Sequence, residues 1–227
     1  MNRGLVCGIA ALLILQAACA EAVTCSEGFG QVSQLQHRGW LMRNNSDPIG
    51  TTSWFQGNPN VFPAYSGSAN SFVSADADSA SSSGYPVLSN WLITPVLEFG
   101  TGEVFQFVTR ASPGGVNRLV VRVCIMGGGV DCAAPGPQSG SLGDFQGELL
   151  DINSGQSAAG YPSSWTVYQI SSANGLPSSG LGRIAFHYYA FWQPNMALGT
   201  TIGIDEVSIT GSGGCLLTGV VYADGFE

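Results

Sequence analysis

The chain contains no lysine; its seven basic residues are all arginines, set against fifteen acidic ones, for a net charge of −8. A surface so poor in cations repels phosphate backbones, which argues against nucleic acid as a partner. Charged residues make up only 10% of the chain, and histidine occurs only at positions 37 and 187. No GxSxG, HExxH or GxxxxGKS pattern occurs, so the common hydrolase, metalloprotease and phosphate-cradling arrangements have no sequence signature here. No segment sustains an apolar pattern at helical spacing, and no repeat is visible at periods of about 20 to 50 residues.

What is present begins with an export signal. Arg3 supplies a positive start, Leu5 to Ala18 an apolar run, and Ala18-Cys19-Ala20 small residues at a cleavage site. The run falls short of the ~20 residues that span a bilayer. A signal peptide over 1–20 is expected, with cleavage after Ala22 as the nearest alternative and a lipid-modified Cys19 as the weaker one. The remaining chain would carry six arginines and fifteen acids, a net charge of −9. Such a chain is expected to be secreted or held on the outer cell surface, as a monomer with no transmembrane segment. Four cysteines survive cleavage, namely Cys25, Cys124, Cys132 and Cys215. An even count in an exported chain points to two disulfides. Cys124 and Cys132 flank a Gly-rich loop, and Cys25 and Cys215 bracket the domain, so the pairs Cys124–Cys132 and Cys25–Cys215 are expected. Zinc is the alternative use, but neither histidine stands at zinc-site spacing from these cysteines.

Period-2 patterning and Gly/Ser-rich turns give an all-β fold. In SNWLITPVLEFGTGEVFQFVTR and NRLVVRVCI, a turn, three strands and their connections follow one another. Leu119, Val121, Val123 and Ile125 alternate with Val120, Arg122 and Cys124, which predicts one buried and one wetter face. Further strands are expected from CSEGFGQVSQL onward, near 70–75, and over 165–170, 182–189 and 201–209. Trp40, Trp54 and Phe55 are expected to anchor the core. In the last strand Ile202 and Ile204 share one face while Val207 and Ile209 fall on the other. A bulge near Asp205-Glu206 repairs that alternation; burial on both faces is the alternative. One domain over 21–210 is expected, followed by a Gly-rich linker and short tail over 211–227.

RGWLMRNNSDPIGTTSWFQGN, SANSFVSAD, SNWLITPVLEF, FQFVTR with NRLVVRV, YPSSWTVYQI, GRIAFHYY and IGIDEVSI occur in that order. This ordered set resembles the choice-of-anchor J family and the related cleaved-adhesin domains of bacterial surface proteins. No piece is specific alone. The resemblance implies a jelly-roll-like β-sandwich on an exported protein and no catalytic residues. The family tends towards Arg where His187 stands. It also implies a structural ion where the first and last strands meet, and the matching positions are Glu27 and Asp205.

Calcium is the cofactor these acids point to, because it accepts irregular shells of six to eight oxygens. Asp76 and Asp78, at i, i+2 spacing in a loop, are a second candidate pair. Asp144, Glu148 and Asp151 read as solvated acids rather than a paired catalytic set. A Ser–His–acid set, which would make the chain an unrecognised hydrolase, has no positive signal beyond abundant serine. The stretch HYYAFWQPN runs from a strand end into a loop, and exposed aromatics of that kind stack on sugars or anchor protein contacts. Tyr189, Phe191 and Trp192 are therefore the candidate ligand-binding residues, with Tyr188 in the core. The expected function is non-enzymatic adhesion or ligand binding towards an extracellular glycan or protein, with a carbohydrate-binding accessory protein as the alternative.

Overall fold

A strand sends alternate side chains to opposite faces, so a sheet is stable only where its apolar face meets another layer. The computed structural model describes residues 23–215, apart from 134, 136–137 and 195–196. The expected signal peptide and C-terminal tail lie outside the described residues. Thirteen strands occur among those described: β1 (Val23–Glu27), β2 (Leu41–Asn44), β3 (Phe55–Gln56), β4 (Val73–Ala75), β5 (Val87–Ile93), β6 (Leu97–Phe99) and β7 (Val104–Ala111). They continue with β8 (Leu119–Ile125), β9 (Gly147–Ile152), β10 (Thr166–Ser171), β11 (Gly180–Phe191), β12 (Ile202–Gly211) and β13 (Gly214–Cys215). Every ladder is antiparallel. The fold is a β-sandwich, with no α-helix among the described residues.

One sheet runs β10-β7-β12-β4-β3, with β1 on the same edge of β12 as β4. The other is built on β11, which pairs with β8 along one edge and with β5 and β6 along the other; β9 pairs with β8, β2 with β5, and β13 with β6. The glycines expected as a linker instead end β12 and begin β13. The opening strand stops at Glu27, and two 3-10 turns take over from Val32 to Arg38. Between the sheets, Phe186 of β11 meets Phe105 and Phe107 of β7 at ring separations of 5.8 and 5.0 Å. Ile184, Tyr188, Leu88, Leu92, Leu119, Val121, Ile202 and Ile204 complete the centre.

The bulge in β12 is present. Asp205 faces Val108 and Ser208 faces Gln106, so Glu206 and Val207 together oppose Phe107. Glu206 takes φ 49, the left-handed geometry of a bulge residue. The extra residue returns Val207 and Ile209 to the core that already holds Ile202 and Ile204.

The expected wetter face of β8 is not wet. Val120, Arg122 and Cys124 are buried as fully as Leu119 and Val121. The reason is the 126–146 loop, which carries Cys132 and Phe145 over the outer face and packs them on Trp91, Ile93 and Ala185. The expected Cys124–Cys132 disulfide holds that loop, with Cα atoms 5.7 Å apart. Cys25 is also disulfide-bonded. The side chain of Cys215 lies outside the described part of the structure, although the backbones of β1 and β13 lie side by side.

The other sheet is covered in the same way. The 57–72 loop lays Phe62 and Phe72 on its outer face, where both meet Trp165 at 5.6 Å. All three rings converge on Gly203, where an added Cβ would come within 2.9 Å of Phe62 and Trp165 and 3.0 Å of Phe72. Gly203→Val is therefore expected to push the loop off the sheet and lower unfolding stability by about 1–3 kcal/mol. A denaturant midpoint equal to that of the parent chain would refute this packing.

Candidate functional site

The Ser/Gly-rich run 80–84 ends in Gly84, which takes φ 68, and sets Tyr85 at the entry to β5. At that same end of β5 Phe191 pairs with Val87, and the next residue, Trp192, donates its backbone N–H to the Pro86 carbonyl at 3.0 Å. Tyr85 and Trp192 thus meet edge to face, with centroids 4.9 Å apart and planes at 77°. Tyr85 is 79% exposed and Trp192 38%. Large aromatics left in water at a sandwich rim point to a contact surface.

Trp192 forms one wall of a groove of about 560 Å³, lined also by Ile49, Thr51, Asp78, Ser81, Ser82 and Leu198. That volume falls within the ~300–1,000 Å³ of small-molecule sites. The groove has a rigid second wall. Gly50 donates to the Ser79 carbonyl at 3.0 Å, and Thr51 and Thr52 donate to the Asp78 carbonyl at 2.8 and 3.2 Å. Gly50 is required, because a Cβ there would fall 2.0 Å from that carbonyl oxygen. Asp76 accepts from the Thr52 hydroxyl at 2.6 Å, and its carboxyl is pushed up by burial and by the charge of Asp78. The Asp78 side chain is exposed at the groove.

The structure divides the expected ligand-binding trio. Trp192 belongs to the groove, with Tyr85 packed against it at the rim. Tyr189 and Phe191 instead share the outer face of the β11 sheet, their rings 6.5 Å apart. There Arg118 lies 5.5 Å over the Tyr189 ring and grips Asp151 through two bonds of 2.9 and 2.6 Å. Glu148 pairs with Arg122 at 3.3 Å. Asp151 is therefore an ion-pair partner of the partly buried Arg118, not the freely solvated acid that sequence spacing suggests, while Glu148 pairs with the buried Arg122 and stays exposed. Tyr85 escapes the sequence reading, yet SSSGYP carries the signal: a tyrosine set between Gly and Pro in a turn has no strand to bury it.

The expected ion ligands do not come together as a cation shell. Glu27 takes Arg38 on both oxygens, at 2.9 and 3.1 Å, and also accepts from Phe29 N–H at 2.8 Å. Asp205 is fully buried and accepts from the backbone N–H groups of Tyr65, Ser66 and Glu206 at 3.0, 3.2 and 2.8 Å. A guanidinium and four N–H dipoles surround these carboxylates where calcium would need further oxygens. Among the described residues no group of three or more His, Cys, Asp or Glu is placed to hold a metal. The residues do not fit the ion. Asp205 instead clasps the 57–72 loop onto the bulge of β12.

One serine–histidine contact exists. Ser89 Oγ lies 2.9 Å from His187 Nε2, but both side chains are buried and Trp91 stacks on the imidazole at 3.7 Å. The indole N–H also points at the serine oxygen, at 3.2 Å. His187 Nδ1 has no partner, so no carboxylate orients the ring. Burial holds the imidazole well below its usual pKa, helped by Arg122 and Arg118. This neutral, sealed pair is a core contact.

No family model matches the chain, and no curated protein matches it. Solved structures do. The K1 cleaved adhesin domain of Lys-gingipain from Porphyromonas gingivalis W83 aligns with a TM-score of 0.53 at 19% identity, over 82% of this chain and 97% of that domain. The K2 cleaved adhesin domain of Lys-gingipain aligns with a TM-score of 0.51 at 16% identity, over 83% and 98%. The fold is that of cleaved-adhesin β-sandwiches. No helix among the described residues is long and apolar enough to cross a membrane.

Burial raises the Asp205 carboxyl to about 6, with a smaller push from Glu206, against the partial relief of its N–H donors. A raised carboxyl favours the protonated folded state, so its contribution to stability is present below about pH 4 and lost as pH rises through 6. The stability of the parent chain relative to Asp205→Asn should therefore fall between about pH 4 and 6. Parallel curves for the two proteins over that window, followed by denaturant titration, would refute the assignment.

Proposed function

We propose that this chain is an exported, non-catalytic adhesion or ligand-binding domain related to the choice-of-anchor J family, and that its groove holds a glycan. The observation that carries this reading is the solvent-exposed Tyr85–Trp192 pair at the rim of the groove. Sugar rings present apolar C–H faces and a belt of hydroxyls. The Trp192 wall suits the faces, while Thr51, Ser81, Ser82 and Asp78 supply donors and acceptors for the belt. The cleaved-adhesin fold supports a contact role, and the sealed Ser89–His187 pair gives no support to hydrolysis. The domain acts as a monomer outside the cell, presenting this rim on a rigid sandwich.

The test is a glycan array followed by calorimetry on the best oligosaccharide. Trp192→Ala and Tyr85→Ala are each expected to weaken binding about tenfold or more, roughly 1.4 kcal/mol, with the thermal midpoint unchanged. Binding that survives both substitutions would place the ligand elsewhere and overturn the reading.

Calcium has no structural task in this proposal, because Arg38 and backbone N–H groups already engage Glu27 and Asp205. Thermal midpoints in excess calcium and in excess chelator are expected to coincide. A midpoint several degrees higher in calcium would reinstate an ion where the first and last strands meet.

A further inference from the structure

We infer that the groove selects glycans carrying free amino groups over acidic ones; this rests on the glycan reading above and adds the charge of the ligand. The argument starts from where the cations of the chain are. Arg38, Arg118 and Arg122 are each tied to an acid, Glu27, Asp151 and Glu148. Arg110 lies 4.5 Å over the Phe62 ring, on the face of the other sheet. Arg183 donates to the carbonyls of Gly39 and Thr94 at 2.9 and 2.7 Å. Arg43 lies on β2 opposite Trp91 and donates to the Met42 carbonyl. None of these residues lines the groove, and the chain has no lysine to add.

The acids are distributed the other way. Asp78 lines the groove with an exposed carboxylate and forms no ion pair among the described residues. Asp76 stands behind it on the same short turn, close enough for the Asp78 charge to raise its carboxyl. The groove therefore presents negative charge beside the Trp192 wall, with no compensating cation. A protonated amine on a sugar ring can meet Asp78 while the ring's C–H face lies on Trp192, and the same indole favours a nearby cation. A uronate or sialic carboxylate in that position would meet Asp78 with like charge.

The probes are chito-oligosaccharides of one length with free amines and with acetylated amines, and an oligogalacturonate of the same length, titrated by calorimetry at about pH 6. The free-amine oligomer is expected to bind about two- to fivefold more tightly than the acetylated one, the range of an exposed ion pair, with the galacturonate weakest. Raising salt should shrink that preference. Asp78→Asn should erase it, so that the free-amine and acetylated oligomers bind alike, with the thermal midpoint in place. Equal binding of the free-amine and acetylated oligomers, with both lost in Trp192→Ala, would overturn the charge selection and keep the glycan reading. A preference that persists in Asp78→Asn would likewise overturn the assignment to Asp78. Binding of none of the three oligomers would sink this inference, and a glycan array without a ligand would sink the glycan reading with it.

Discussion

Strands β5, β8 and β11 carry buried side chains on both faces, and that constraint organises the molecule. A sandwich brings together only the inner faces of its two sheets. Trp91, Ile93, Val120, Cys124 and Ala185 would be left on the outside, and water would make them costly. The chain covers them with its own 126–146 loop, fixed by the Cys124–Cys132 disulfide. The opposite sheet has the same problem, and Phe62, Phe72 and Trp165 solve it around Gly203. Long loops that could have been variable binding arms are therefore parts of the packed body.

This coverage decides where contact chemistry can occur. With both outer faces largely occupied, the exposed aromatics Tyr85, Phe191 and Trp192 gather where β5 begins and β11 ends. Trp192 is one such residue, released at the end of β11; Tyr85 is another, set just before β5. They meet because Val87 and Phe191 are partners in one ladder, so the residues flanking that rung emerge together. The groove is thus a consequence of register, and its stiffness comes from the tight approach of Gly50 to the Asp78 carbonyl. Charge follows a similar division. Most arginines of the body are tied to acids, carbonyls or rings, which leaves Asp78 uncompensated at the rim.

Much of the architecture is legible in the sequence because it rests on local rules. The break between Ile204 and Val207 is visible as a slip in a period of two, and the structure resolves it with one residue at positive φ. The short spacing of Cys124 and Cys132 across glycines limits their partners. The aromatic run after His187 places Trp192 past a strand end. Where the reading went astray, a distant segment had intervened. The second face of β8 looks wet in a single strand because nothing local announces Phe145, which arrives from twenty residues further along. Asp151 looks solvated because its arginine, Arg118, stands just before the neighbouring strand.

The sequence alone determined the all-β class, most of the long strands, the bulge and the local disulfide, since each depends on side-chain alternation or on neighbours close along the chain. Tertiary structure alone decided which faces stay dry, that Tyr85 joins Trp192, and that Glu27 and Asp205 face a guanidinium and N–H donors rather than a shell of oxygens. These outcomes depend on which remote segments come to lie side by side. A pattern of period two specifies a strand's faces but carries no information about what will cover them.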